Sequence, residues 1–336
     1  AKNGGYVEDL VVTASARKLG RPIHWIETRS ESRLGLAHGR ASLFDGELGG
    51  TRDGKILAFA CDQIKVSGAY PAIGAVLPFI TRVVASTVYD IPKVSWSHNS
   101  VMTNTVPTGA YRGAGRPEAA HAIDRMIDLF ADEIGMDPAE VRRVNFIQPA
   151  QFPHTTAAGA DMDSGEYSAA MDKVMAVADY PALLAEQAAR RDDVSQPLMG
   201  LGWCAYVEIA NPMTNGEFGS IRVQPDGSAI VLTGSSAHGQ GHHTAFAQVA
   251  SEITGIPFDK IEVRHGDTAE VPRGGGTGGS KSLQVGGSAV VQASESVIEA
   301  AKAIAAELLE ASVDDIVLDA ETGGFSVAGT PAIAKS

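Results

Sequence analysis

Hydrophobic positions recur along this chain with two periods, and the places where the period changes outline the predicted elements. Val7 to Lys18 carries apolar residues at helical spacing and stops at Gly20. Pro22 to Glu27 reads as a strand, and after a polar loop Lys55 to Val66 alternates as a second strand should. Val84 to Val88 and Val94 to Met102 are two more predicted strands, followed by the loop Thr103 to Arg116. Pro117 at the first helical position and Glu118 in the first turn then mark a helix start. Ile123, Met126, Ile127, Phe130 and Ile134 follow at the spacing of one buried face.

From about Gln148 to Gln196 the pattern changes. Pro149 and Pro153 break regular structure, Tyr167, Met171, Val174, Met175 and Ala178 mark one helix, and Ala182 to Arg191 a polar second. The expected organisation is a first domain over 1–150, a helical connector over 151–196 and a second domain over 197–336, with the boundary near Pro197. Beyond it, Ser220 to Val223 and Ser228 to Thr233 flank the hairpin signal Pro225-Asp226-Gly227. A helix over Thr244 to Ile253 stopped by Gly255, a strand over Lys260 to Arg264 and a long helix come next. The predicted buried stripe of that last helix is Val290, Val291, Val297, Ile298, Ile304, Leu308 and Leu309, and Gly324 to Val327 closes the pattern as a strand. Hairpins among helix-flanked strands predict an α+β fold, with mixed sheets and helices packed on them, rather than a uniformly parallel sheet.

Composition narrows the ligand more than the fold. The 336 residues favour two domains over one or three, and 44% hydrophobic content is enough for ordinary globular cores. Lys+Arg 27 against Asp+Glu 40 gives a net charge of −13, which argues against a nucleic-acid surface and against anionic membranes. An anionic ligand must therefore be held locally, by backbone and a few basic groups. Cys61 and Cys204 are the only cysteines, far apart and outside any C-x-x-C context, so they make neither a zinc site nor an iron–sulfur cluster. Two free thiols suit a reducing cytoplasm. There is no run of about 18 apolar residues, so no membrane span is expected. The chain opens at Ala1 without an initiator Met and reads as a fragment.

Three glycine-bearing loops each open an amphipathic helix: Thr108 to Pro117, His238 to His243 and Gly274 to Ser282. A helix start exposes unpaired N–H groups and the positive end of the macrodipole, so the three together predict a large, multiply anionic ligand. The third loop has five glycines in nine residues, with Thr277, Ser280, Lys281 and Ser282 as donors. It is a candidate phosphate cradle without being a P-loop, because Ser280 interrupts the glycine–lysine pair. A flexible surface loop is the plain alternative. His238 and His242 stand four apart, but Gly239 and Gly241 spoil a metal-ligand geometry, and Gln240 is the better functional candidate. Gly113-Ala114-Gly115 fails as a dinucleotide fingerprint because Glu118 occupies the third glycine position. What remains there is Arg112 and Arg116 on a small-residue loop, suited to an oxyanion or a planar substrate, or alternatively paired with helix carboxylates.

Gly109-Ala-Tyr-Arg-Gly-Ala-Gly-Arg-Pro-Glu-Ala119 resembles the active-site loop of large subunits in the xanthine oxidase family of molybdenum hydroxylases, among the form II homologues of aerobic carbon monoxide dehydrogenase. His238-Gly-Gln-Gly-His242 and Gly276-Thr-Gly-Gly-Ser-Lys-Ser282 resemble that family's pterin-contacting loops, in the same order. Gly20 to Glu27 and Asn145 to Pro153 extend the likeness over nearly the whole chain.

The resemblance implies two molybdenum-cofactor-binding domains. It implies molybdenum bound through a pyranopterin dithiolene, as molybdopterin cytosine dinucleotide, so that no protein side chain ligates the metal. By this likeness Arg112 and Gln240 are catalytic, and Tyr111 and Arg116 face the substrate. Gly113, Ala114, Gly239, Gln240, Gly241 and His242 contact the cofactor, as do Thr277, Gly278, Gly279, Ser280, Lys281 and Ser282. The implied reaction is oxidation of an aldehyde or aromatic N-heterocycle with oxygen drawn from water. Electrons leave to separate 2Fe-2S and FAD subunits, in a dimer of heterotrimers.

Two departures qualify the likeness. The family's carbon monoxide enzymes place a copper-holding cysteine where this loop has Gly113, which argues against CO as the substrate. The family's catalytic glutamate lies in a C-terminal part beyond these residues. A non-catalytic cofactor-binding or assembly module is the alternative.

Overall fold

The computed structural model of the chain describes residues 6–211, 216–319 and 322–335, so the chain ends at Ala1 and Ser336 lie outside it. The chain divides into two compact units, Ala1–Glu208 and Ile209–Ser336. The division falls past Pro197, because Leu201, Trp203, Ala205 and Val207 pack on the core of the first unit.

The first unit runs α1 (Val7–Leu19), α2 (Arg29–Gly35), β1 (Ser42–Gly50), β2 (Ile56–Gly68), α3 (Ile73–Val83), β3 (Lys93–Met102), α4 (Arg116–Ile134) and α5 (Pro138–Asn145). The short strands β4 (His154–Thr155) and β5 (Asp161–Met162) follow, then α6 (Tyr167–Ala178) and α7 (Tyr180–Asp192). β1 and β2 pair antiparallel, and β3 joins β2 in parallel after α3 has crossed over. α4 ends at Gly135, whose φ of 69° ends the helix in the left-handed conformation that glycine accepts at low cost.

Ile123, Ile127 and Ala131 of α4 are buried with Ile56 and Phe59 of β2, and Tyr89 stacks on Phe146 with ring centroids 5.6 Å apart. Each fully buried large apolar side chain contributes about 1.5–3 kcal/mol. The core also contains a polar centre. Arg142 is fully buried and reaches Asp124 at 3.2 Å and Asp128 at 2.8 Å, while the Tyr89 hydroxyl donates to Asp124 at 2.7 Å. Met171 of α6 and Tyr180 of α7 are buried in the same core.

Several predicted elements differ from the observed ones. Residues 22–27 form no strand, and 84–88 are a buried turn after α3. A short apolar run cannot by periodicity alone distinguish a strand from a buried turn. α3 was hidden by Pro78 in its interior. β1, with Asp45, Glu47 and three glycines, is held by its pairing to β2 rather than by its own propensity.

The second unit runs β6 (Gly219–Val223), β7 (Ala229–Thr233), α8 (His242–Thr254), β8 (Ile261–Arg264), α9 (Ser288–Leu309), β9 (Ile316–Asp319), β10 (Gly324–Val327) and β11 (Thr330–Lys335). β6 and β7 form the predicted hairpin, with Asp226 accepting from the Ser228 amide at 3.0 Å, and β8 adds to β7 in parallel after α8. Val231, Phe246, Val263 and Val290 form its core. The stripe expected for α9 is only partly buried. Val290 faces the core, but Ile304 and Leu308 are 60% and 61% exposed, and the small Ser294, Ala305 and Ala306 take the inner positions. Small residues there bring α9 close against β9 and β10, where Ile316 and Phe325 pack.

Both units therefore follow one order: an antiparallel hairpin, a crossover helix, a parallel third strand, a loop and a helix.

Candidate functional site

In the first unit the loop after β3 is pinned to the end of β2. The Thr108 amide donates to the Ser67 carbonyl at 3.1 Å, the Thr108 hydroxyl to Val66 at 2.7 Å, and the Gly109 amide to His38 at 2.8 Å. Arg40 then braces the stretch that follows. Its guanidinium lies 4.7 Å over the Tyr111 ring, donates to the Arg112 carbonyl and stands 3.8 Å from Glu118. Gly113 and Gly115 have φ of 95° and 97°, with Ala114 between them at 42°. A Cβ on Gly113 would come within 2.6 Å of Pro117 Cγ, so residue 113 is restricted to glycine by conformation and by space.

Two sequence expectations change here. Arg116, expected to face substrate, is 5% exposed and turned inward: it donates to the Gly113 carbonyl at 2.8 Å and pairs with Glu208 at 3.1 Å. It braces the helix start. That start is also capped by its own helix, because Glu118 accepts from the Gly115 amide at 3.1 Å. A carboxylate already occupies the place where an anion was expected. Tyr111 and Arg112 remain exposed, and no described residue bonds the Arg112 guanidinium.

The sequence reading missed a polar row on β2. Gln63, Lys65 and Ser67 are each 1% exposed, whereas Ile64 between them is 43% exposed. The strand presents its polar side inward as it nears the loop, the reverse of what hydrophobicity predicts. Lys65 Nζ has no hydrogen-bond partner among the described residues. Burial holds its ammonium below the usual lysine range, while Glu118 pulls it up and Arg40 pushes it further down. The available signal was the period-two spacing of three polar residues.

In the second unit, α8 opens at His242 after Gly241 at φ 86°, with no side-chain cap. Its first-turn amides are thus left for another acceptor. A Cβ on Gly239 or Gly241 would meet nothing within 4 Å. Gln240 accepts from the His238 amide through its carbonyl oxygen, which leaves its NH₂ group as a donor. His242 is buried and stacked on Phe246 at 5.2 Å, with Nδ1 lacking a partner among the described residues. His243 is exposed, and its Nε2 lies 3.2 Å from that of His265.

The glycine-rich loop lies against the stretch between β7 and this one. The Gly276 amide donates to Gly234 at 3.1 Å, and the Thr277 hydroxyl to Ser236 at 2.6 Å, with Ser282 Oγ 3.0 Å away. Gly279 and Ser280 follow at φ 66° and 54°, and Asn211 donates to the Gly279 carbonyl at 3.1 Å. Gly276 and Thr277 of this loop thus meet Gly234 and Ser236, in the stretch that leads from β7 to the loop carrying Gly239, Gln240, Gly241 and His242. Lys281 departs from expectation. It is buried, and its ammonium is turned to Glu217 at 3.9 Å rather than outward as a ligand donor. Glu217 itself was not singled out by any pattern in the sequence. A π-helical stretch, Ser282–Gly287, leads into α9.

Comparison with known proteins gives this arrangement a family. Models of the molybdopterin cofactor-binding domain match residues 1–146 and 173–335. The chain is 42% identical to the carbon monoxide dehydrogenase large chain of Hydrogenophaga pseudoflava, over 97% of this chain and 42% of that protein. It is 30% identical to the nicotine 6-hydroxylase large subunit of Paenarthrobacter nicotinovorans, over 96% of this chain and 41% of that one. Quinoline 2-oxidoreductase from Pseudomonas putida 86 superposes with a TM-score of 0.86 at 32% identity, covering 98% of this chain and 43% of that structure. The chain therefore spans less than half the length of these relatives. It belongs to the xanthine oxidase family of molybdenum hydroxylases, among their molybdopterin-binding large subunits.

Proposed function

We propose that this chain is part of the catalytic subunit of a molybdenum hydroxylase that oxidises an aldehyde or an aromatic N-heterocycle, with the added oxygen taken from water. The observation that carries the choice of substrate is Gly113. Its left-handed φ of 95° and the crowding by Pro117 leave no room for a cysteine at the position the copper-dependent relatives use. The two thiols of the chain sit elsewhere, Cys61 buried on β2 and Cys204 beyond α7. Carbon monoxide is thereby disfavoured, and an organic carbon centre is favoured.

The residues of the second unit fit a phosphorylated pterin. The uncapped start of α8, the open glycines on either side of Gln240 and the unpartnered Nδ1 of buried His242 are donors or acceptors awaiting a polar ligand. Gly239, Gln240, Gly241 and His242 would hold it from one side, and Thr277, Gly278, Gly279, Ser280 and Ser282 from the other. When bound, the group supplies two-electron redox chemistry. Gln240 orients it through its carboxamide, and Arg112, held at its backbone carbonyl by Arg40, offers a cation to the polar end of the substrate. Tyr111, held under Arg40, limits how the substrate approaches. The cytosine dinucleotide form suits the number of donors.

Cys61 is buried on β2, its thiol pushed up to about 12 chiefly by burial. Electrons leave through partner 2Fe-2S and FAD subunits, in a dimer of heterotrimers in the cytoplasm. Among the described residues no helix is long and apolar enough to cross a membrane.

The test is the full-length protein with its partner subunits, assayed with aldehydes, N-heterocycles and CO against a dye acceptor. Turnover of an organic substrate is expected, with close to one molybdenum per chain. Arg112→Ala should lower turnover by roughly 100-fold without changing metal content. Turnover of CO alone, or a bound nucleotide in place of molybdenum, rejects the reading.

A further inference from the structure

Glu217 lies just before β6 with its side chain 2% exposed, and its long-range polar contacts reach the glycine-rich loop and the stretch after β7. It accepts from the Gly275 amide at 3.3 and 3.2 Å through its two oxygens, from the Ser235 hydroxyl at 3.4 Å and from the Phe218 amide at 2.9 Å. Lys281 closes the set at 3.9 Å. Backbone amide, hydroxyl and ammonium are the donors a loop of this composition would otherwise offer to a phosphate. The neighbouring glycines fit the same arrangement. A Cβ on Gly234 would collide with the Glu217 carboxylate and with Gly274, and a Cβ on Gly275 would collide with the Lys281 ammonium. Part of the glycine content of the loop thus serves an internal close approach.

We propose that Glu217 is a positioning residue: a buried carboxylate that takes the Gly275 amide and Lys281 for itself and so sets the curve of the glycine-rich loop against β7. Lys281 holds Glu217 and not a cofactor phosphate. That the loop so shaped faces the pterin rests on the function proposed above; the latch itself does not.

Amide hydrogen exchange over 274–282, in full-length protein made with its partners in a host unable to synthesise the pterin, tests the latch alone. Glu217→Gln and Lys281→Met should each speed exchange there by roughly tenfold, the order expected for losing a buried charge-assisted contact, with β7 unaffected. The double variant should be no faster than Glu217→Gln, because both remove one interaction. Should these variants fail to fold, Ser235→Ala removes a single donor and should give a smaller change in the same segment. Unaltered exchange, or effects that multiply in the double variant, overturns the latch. Lys281→Met that lowers pterin content while leaving exchange unaltered would make Lys281 a phosphate ligand and also overturn it. In cofactor-loaded protein, Glu217→Gln should alter the Mo(V) electron-spin signal. Altered exchange with a wild-type signal overturns the link to the cofactor, whereas wild-type protein that binds no pterin overturns the function and leaves the latch standing.

Discussion

The two units share one order of elements, yet they brace their loops with opposite charges. In the first, guanidinium groups are brought to backbone carbonyls: Arg40 to Arg112 and Arg116 to Gly113, with Glu118 and Glu208 behind them. In the second, a carboxylate is brought to a backbone amide, with Lys281 behind it. The brace decides what is left for a ligand. Where carbonyls are taken and Glu118 caps the helix, the first loop projects a side chain, Arg112. Where the amide of Gly275 is taken but α8 is left uncapped, the second unit presents backbone donors at the helix start. The same architecture thus yields an exposed cation in one unit and an uncapped helix start in the other.

The largest expected effect tests how far the first brace depends on residues remote from the loop. Glu208 ends a segment that is tied down by the buried polar centre: Ala205 donates to Asp124 at 3.2 Å, and Arg142 to Trp203 at 3.4 Å. Removing one partner of a buried ion pair costs about 3–5 kcal/mol, because the other is left uncompensated. Arg142→Met should therefore destabilise the first unit by about that much, with Asp124 and Asp128 stranded, while exchange protection of the second unit is unchanged. Chemical denaturation followed by tryptophan fluorescence and by hydrogen exchange measures both. A loss under about 1 kcal/mol would mean that the brace is local in both units, and the contrast would narrow.

The sequence disclosed the helix starts and the hairpin, because their signals are local: Pro117 with Glu118, Gly135 and Gly255 as stops, Pro225-Asp226-Gly227 as a turn. It also singled out Gln240 and Arg112, and Arg112 is exposed. It did not disclose what long-range contacts decide. Whether Arg116 and Lys281 point outward depends on Glu208 and Glu217, which no local pattern connects to them. β2 misleads for a related reason. Ile64 and Lys65 occupy the faces opposite to their hydrophobicity, since the inner face near the loop borders Arg40 and Glu118 rather than an apolar core. The missing β1 and the spurious strand at 84–88 show the same limit in the fold, where tertiary pairing overrides propensity.

An intermediate effect comes from two glycines of nearly equal φ. Gly113 at 95° is crowded by Pro117, and Gly239 at 99° has open space around its Cβ position. Alanine at either position meets the left-handed penalty of about 1–2 kcal/mol. Only Gly113→Ala should add an overpacking cost, about 1–3 kcal/mol more. Equal losses in thermal denaturation of the two variants would show that Pro117 yields readily, and would remove the steric part of the case against a cysteine at 113.

The smallest effect separates the units by pH. His265 has its pKa lowered, first by burial and then by His243, His242 and His238. A base depressed in the folded state is protonated first when unfolded, so its contribution is present above the ordinary histidine value of about 6.5 and is lost as the pH falls below it. Protonation of His265 would also take away the acceptor role its Nε2 can play in the 3.2 Å contact with His243. The first unit has the opposite sensitivity on the acid side. Burial raises the Asp124 carboxyl above its usual 3.8 despite Arg142, and an acid raised in the folded state favours folding as the pH falls toward its folded pKa. Lowering the pH from about 7.5 to about 5.5 should therefore weaken the second unit relative to the first, and His265→Gln should flatten that slope. Hydrogen exchange resolved by unit, at matched intrinsic rates, reads it directly. A slope that persists in His265→Gln would assign the sensitivity to other groups and leave the bracing charges as the sole contrast between the units.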